Sequence, residues 1–314
     1  MLRKLRLFYY NNKEKFWVTV GIIIFVIVII QIINGVIKNN REEEANNEKN
    51  ESSIISSGSS KNETYLPSRT DSVISDSKVS KDRIEEDTNI IESFVNFGNA
   101  NDVEGAYNLL SQDCKDEMFQ TIDRFYEFYF KNIFNEKRSY DLENWDSTGS
   151  RTTYRIKYQN DIMATGMINE EFIEDYITVI EENDEKKLNI NEFINKVDLE
   201  KKGQVDGLEA NVTAKYYYYD YEEYDITFKN TTQEQIIIDT KDNTESVYLE
   251  DERGVNYSWF GNEIANEELI LNGGESVSLR IKFNKLYNQN RVDNKINFTD
   301  VIINNEQKTL EINV

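Results

Sequence analysis

No histidine occurs anywhere in this sequence, and cysteine and proline occur once each, as Cys114 and Pro67. Without histidine there is no Ser-His-Asp or Cys-His nucleophile pair, no HExxH zinc site and no imidazole base. A lone cysteine excludes an intramolecular disulfide and a cysteine cluster for zinc or iron–sulfur. Glycine-rich phosphate loops are also missing, and carboxylate pairs such as Glu170-Glu171 and Glu222-Glu223 are too common in so acidic a chain to mark glycosidase chemistry. No catalytic residue, metal or cofactor is therefore expected. Basic residues are scarce, 36 Lys and Arg against 58 Asp and Glu, a net charge of −22. Such a surface is repelled by nucleic acid and by anionic polymers, so a nucleic-acid partner is not expected.

What is present begins with an anchor pattern. Arg3, Lys4, Arg6, Lys13 and Lys15 precede an uncharged run from Phe16 to Ile37. Those 22 residues would span about 33 Å as a helix at ~1.5 Å per residue, enough for a hydrocarbon core of about 30 Å. Trp17 stands at an interfacial position, with Ile22, Phe25 and Ile29 in the apolar centre. The run is longer than a signal-peptide core and lacks a small-residue cleavage site, so residues 16–37 read as an uncleaved transmembrane helix. The basic excess places residues 1–15 in the cytoplasm and the remainder outside, on a single-pass membrane protein. Beyond residue 37, acids outnumber bases 57 to 31.

Residues 38–84 are rich in Ser, Asn, Glu and Lys and read as a disordered spacer. Ser75 and Lys78 match an SxxK spacing there without companion motifs. From Glu85 the period becomes helical: Ile90, Ile91, Phe94, Val95 and Phe97, then Val103, Ala106, Tyr107 and Leu110. A third helix is predicted from Asp113, with Met118, Ile122, Phe125, Tyr126, Tyr129 and Ile133 on one stripe. Alternation follows through Tyr140, Leu142, Trp145, Tyr154, Ile156 and Tyr158, then Ile173 to Ile180, closing at Leu188, Ile190 and Phe193. Residues 85–196 thus read as an α+β domain of three helices on a curved antiparallel sheet.

GAYNLLSQDCKDEMF, FYFKNIF, TYRIKYQ and DYITVIEEN, in that order, give this segment a resemblance to the nuclear-transport-factor-2-like cone fold. The resemblance implies a pocket between helices and sheet, used for catalysis in some members and protein contacts in many. No acid here matches the catalytic carboxylates of its ketosteroid isomerase members.

Lys201-Lys-Gly203 and Asp206-Gly207 mark a boundary, after which residues 205–314 carry short alternating strands separated by turns, Asn272-Gly-Gly-Glu275 among them. That pattern predicts an all-β sandwich. YEEYDITFKNTTQEQIIID and LILNGGESVSLRIKF resemble the immunoglobulin-like modules of bacterial surface proteins, which implies a spacer, adhesion or assembly role. Asp239 to Glu250 has the length of an EF-hand loop, but Lys241 and Thr244 occupy positions that need a ligand and a glycine. Asp239, Asp242 and Glu245 remain the weak candidates for calcium.

The most unusual local composition is YYYYDYEEY, residues 216–224. Consecutive tyrosines in a strand put rings on both faces, so Tyr217, Tyr219, Tyr221 and Tyr224 are the candidate interface or ligand contacts. The alternative is an edge strand packed on the neighbouring domain. The expected function is non-enzymatic: a membrane-anchored protein of a Gram-positive cell envelope, making contacts with an envelope protein partner. Two alternatives stand beside it. One is an assembly component like those of type IV secretion and conjugation machines; the other is a small-molecule or lipid sensor using the cone-fold pocket.

Overall fold

Ser80 accepts a hydrogen bond from the Arg83 amide and so starts the first helix, α1, Lys81–Asn99, ahead of the Glu85 expected. The computed structural model describes residues 72–74, 78–160 and 172–314, all within one compact unit, Glu63–Val314, and mostly β. Among these residues no helix is long and apolar enough to cross a membrane. The predicted anchor, with Trp17, Ile22, Phe25 and Ile29, lies outside them, as do most of the spacer and Ser75.

Asp102 caps α2, Val103–Asn108, and Ser111 caps α3, Gln112–Met118, each accepting from a backbone amide in the first turn. The third helix is not continuous as the stripe suggested. Phe119 leaves helical geometry and Thr121 caps a new helix, α4, Ile122–Phe125, by accepting from the Arg124 amide. That helix runs through a π-helical turn, Tyr126–Phe130, into Lys131–Ile133. The turn directs Tyr129 and Phe130 into the core and leaves Phe128 exposed.

Strands β1 (Arg138–Ser147), β2 (Arg151–Asn160), β3 (Phe172–Glu182) and β4 (Glu185–Asn189) form one antiparallel sheet in chain order. The helices cover one face, where Phe94, Phe125, Tyr129, Phe130, Tyr154 and Tyr158 are buried together. Part of the expected spacer is ordered beside this sheet. The amides of Val73 and Ile74 donate to the Asn144 and Trp145 carbonyls on the free edge of β1, both at 3.1 Å.

The segment expected to separate two domains is itself a strand. β5 (Phe193–Val205) and β6 (Leu208–Tyr218) form a hairpin closed by Asp206 and Gly207, whose φ values of 40° and 90° suit a tight two-residue turn. Gly203 is required for a reason other than a linker: a Cβ there would meet the Glu311 carbonyl oxygen at 2.5 Å. β7 (Glu222–Asn230) lies on the other side of β6, which is therefore an interior strand and not an edge. β8 (Ile236–Ile237), β9 (Val247–Asp251), β10 (Asn256–Ser258) and β11 (Ile270–Leu271) precede β12 (Ser276–Phe283), β13 (Asp293–Ile303) and β14 (Glu306–Asn313). One sheet has the order β12-β7-β6-β5; the other runs β10-β9-β13-β8-β11, with β14 paired to β13. Their facing residues, Ile226, Phe228 and Ile281 against Leu249, Phe298 and Leu310, share a second core.

A bulge between Val212 and Ala214 lets β6 serve both cores. Before it, Leu208, Ala210 and Val212 face the sandwich interior; after it, Ala214, Tyr216 and Tyr218 join the aromatic core of the first half. One extra residue exchanges the faces of a strand, because side chains alternate with period two. The tyrosine run thus sits at the join between the two halves.

Candidate functional site

The exchange of faces at the bulge leaves Lys215 and Tyr217 on the side away from Tyr216 and Tyr218. Lys215 is buried there with Glu222, Lys285 and Asp293. Its ammonium is 2.9 Å from Glu222 and also pairs with Asp293, while Lys285 is 3.1 Å from Glu222 and also pairs with Asp293. The Tyr224 hydroxyl donates to Asp293 at 2.7 Å, and the Lys285 ammonium donates to the Arg291 carbonyl at 3.0 Å. Two cations and two anions close a ring in which each charge has two partners. Burial works against the Lys215 charge, but Glu222 and Asp293 override it and hold the ammonium above the usual lysine range. Burial likewise opposes the Asp293 charge, and Lys215 and Lys285 keep its carboxyl below the usual range. The ring ties β6, β7 and β13 to the loop after β12.

Over this ring opens a cleft of about 220 Å³. Tyr217 and Tyr287 form its walls, their rings 5.7 Å apart and nearly perpendicular at 85°. Val197, Leu199 and Val292 add apolar surface, and Arg151 and Arg291 supply guanidinium groups. Arg151 comes from β2 of the first half and donates to the Tyr287 hydroxyl at 2.7 Å. Gln289 reaches the Ser147 carbonyl at 3.2 Å, so the loop after β12 is fastened to the β1–β2 end. The cleft is therefore built by both halves.

Of the tyrosines singled out in the sequence, Tyr217 and Tyr224 line this cleft. Tyr219 lies elsewhere, stacked on Tyr176 in contact with Trp145. Tyr221 stacks on Tyr218 at 4.2 Å with the Lys282 ammonium 3.6 Å from its ring. Sequence reading missed Arg151, Lys285, Tyr287 and Asp293, which lie far from the run along the chain. The one local sign was Lys215, a lysine embedded among strand residues that alternate toward a core.

Two other constellations are structural in geometry. Asp175 is a buried acid beside Tyr129 and Tyr158, the pattern that a pocket enzyme would use. Both its oxygens are filled: Tyr129 donates at 2.6 Å, and the amides of Tyr176, Asn191 and Glu192 at 2.7, 3.1 and 2.9 Å. Burial raises its pKa, and those four donors pull it back. Asn191 and Glu192 have φ of 59° and 64°, so Asp175 holds a left-handed turn in place. Asp239 accepts from the Lys241 amide at 2.9 Å, an Asx turn. Among the described residues no group of three or more acids or cysteines is placed to hold a metal ion.

No family model, curated protein or solved structure matches this chain.

Proposed function

We propose that this chain is a single-pass, membrane-anchored protein whose outer region works by contacting another protein of the cell envelope and not by catalysis. The observation that carries the reading is the cleft at the join. Val292 and Val197, which line it with Tyr217 and Tyr287, are 54% and 37% exposed, and Leu286, next to Tyr287 in the chain, is 55% exposed. Exposed aliphatic side chains next to tyrosine and arginine have the composition of a contact surface. The anchor pattern and acidic outer region support a place outside the membrane.

In this reading the helices and first sheet are a cone-fold relative and the two later sheets an immunoglobulin-like module. An assembly component of a secretion-type machine is one form of it. A sensor using the interior of the first half draws less support, because the Phe94, Phe125 and Tyr129 rings pack there at centroid distances of 6.0–6.4 Å. The test is photo-crosslinking in cells from Leu286 in the full-length protein, with Lys202 on another surface as the control position. A discrete envelope protein captured from Leu286 alone is the expected outcome. Equal capture from both positions, or from neither, would remove the reading.

A further inference from the structure

Four charges buried side by side carry a heavy desolvation cost, and the Lys215 ring has a way to lower it. Lys285 and Glu222 are each 1% exposed and Lys215 is 5% exposed, with the cleft opening above Lys215, Tyr224 and Asp293. The Asp293 carboxyl is surrounded by donors. Its Oδ2 accepts from the Lys215 ammonium and, at 2.7 Å, from the Tyr224 hydroxyl, while its Oδ1 accepts from Lys285. Glu222 faces both lysines, with Oε2 2.9 Å from Lys215 Nζ and Oε1 3.1 Å from Lys285 Nζ. The Tyr224 hydroxyl also reaches Glu222 Oε2, at 3.5 Å.

These groups have the roles that condensation of an amine with a carboxyl requires. A carboxylate resists a nucleophile through its own charge; three donors on the Asp293 oxygens offset that charge and make Cγ electrophilic. An ammonium becomes a nucleophile once a base takes its proton, and Glu222 Oε2 is in contact with Lys215 for that purpose. Burial raises the Glu222 carboxyl, whereas Asp293, against its burial, is held low by the two lysines. The two acids are thus set apart as proton acceptor and electrophile. The two lysines differ as well. Lys285 donates to Glu222, Asp293 and the Arg291 carbonyl, three acceptors for three protons, and stays an ammonium. Lys215 has the two carboxylates alone as hydrogen-bond acceptors.

We propose that Lys215 and Asp293 join in an intramolecular amide bond, Nζ to Cγ, which ties β6 of one sheet to β13 of the other. Glu222 takes a proton from the Lys215 ammonium and Tyr224 relays it to Asp293 Oδ2, leaving an amine beside a carboxylic acid. The amine lone pair forms the Nζ–Cγ bond, and the Cγ–Oδ1 π electrons move onto Oδ1 beside the Lys285 ammonium. Glu222 removes a second proton from Nζ, which reaches Oδ2 through Tyr224. The Cγ–Oδ1 double bond re-forms, the Cγ–Oδ2 bond breaks, and Oδ2 departs as water into the cleft. An ammonium and a carboxylate become an amide and one water, with Glu222, Tyr224 and Lys285 unchanged and no other reactant needed. Four buried charges become two, the Lys285–Glu222 pair. Lys215 rests as an ammonium, so the reaction is slow, but each molecule forms the bond only once. The bond is independent of the protein-contact reading above.

Intact-mass spectrometry of the full-length protein, purified in detergent and denatured in acid, is the test. The protein should be lighter than its sequence by one water, and a protease digest should contain a branched peptide that joins Lys215 to Asp293. Lys215→Met, Asp293→Leu, Glu222→Gln and Lys285→Met should each have the mass that its sequence gives, and Lys202→Gln should keep the water loss. The measurement on the unaltered protein is decisive even where a variant fails to fold. An unaltered protein at its full sequence mass, a water loss that survives Lys215→Met, Asp293→Leu or Glu222→Gln, or a branch mapped to Lys285 would overturn the proposal.

Discussion

The ring of Tyr219 lies 3.7 Å from the ring of Tyr176, centroid to centroid, with the planes only 12° apart, and Trp145 closes edge-on against both. Tyr219 follows the strand that fills the sandwich, whereas Tyr176 and Trp145 belong to the first sheet. Stacked pairs contribute about 0.5–1.5 kcal/mol beyond the area they bury. A double-mutant cycle with Tyr176→Leu and Tyr219→Leu, read by urea denaturation of residues 63–314, should give a coupling energy in that range. Strict additivity would mean that the rings touch without stabilising the join.

The β5–β6 hairpin predicts that the two halves are not separable. Cutting between Val205 and Asp206 would strip β6 of one of its two partners, β5, and remove Tyr216 and Tyr218 from the first core. Fragments 78–205 and 206–314 made alone should therefore be aggregated or lack sharp near-ultraviolet circular dichroism. Co-expression should recover a complex. A well-folded 78–205 fragment would show that the expected boundary is a true domain limit.

What the sequence made legible was period, and what it hid was where chain segments meet. Ile91, Phe94 and Val95 announce α1, and alternation from Tyr224 to Phe228 announces β7, because each pattern is local. Asn272-Gly273-Gly274-Glu275 is the turn expected, with Gly274 at φ 81° and the Glu275 amide on the Asn272 carbonyl. Gly203, taken from the sequence as part of a boundary, lies within β5, where a close approach to Glu311, more than a hundred positions on, demands glycine as strongly as a loop does. The bulge at Val212–Ala214 leaves no mark in the spacing of apolar residues, since even-numbered positions stay apolar on both sides of it while the face they occupy changes. The arginines and tyrosine of the cleft come from β2 and the loop after β12, a juxtaposition only tertiary structure makes.

Breaking the buried charge ring from one corner should be costly. Lys285→Met leaves Glu222 with Lys215 as its one cation and removes one of the two cations paired with Asp293. Removing one member of a buried pair costs about 3–5 kcal/mol, whereas replacing both members by apolar groups can be neutral. The double variant Lys285→Met, Glu222→Leu should thus be more stable than Lys285→Met, because the remaining Lys215–Asp293 pair is balanced. If the double variant is the less stable one, the ring is not acting as a charge-compensated unit.

Cys114 is fully buried under α3, and burial pushes its thiol up to about 12. Thiolate, not thiol, is the reactive form, so the native protein should resist a disulfide reagent at pH 8. Labelling should follow the opening of the first core, accelerating in urea in step with loss of tyrosine fluorescence changes. Rapid labelling of native protein would place Cys114 near a surface that opens independently of the core.

Glu223 gives a test by pH. It lies beside Arg280, which also pairs with Asp225 at 2.8 Å and with Glu117 of α3 across the join. Burial raises its carboxyl to about 7; Arg280 pulls it back and Glu117 adds repulsion. An unfolded chain releases that proton near the ordinary glutamate value of about 4.3. Between those values the folded state binds the extra proton, so raising the pH favours the unfolded state and stability declines until about pH 7. Asp113, Asp175 and Glu192 are raised in the same direction, so the slope of the natural protein is a sum. Glu223→Gln subtracts one part of it: urea midpoints of the variant should fall less steeply between pH 5 and 7, and above pH 7 the two curves should run parallel. With no histidine in the chain, a midpoint in that window has no imidazole to account for it. Identical slopes for the two proteins would show that Glu223 ionises freely and that Arg280 meets Glu117 without drawing Glu223 into the join.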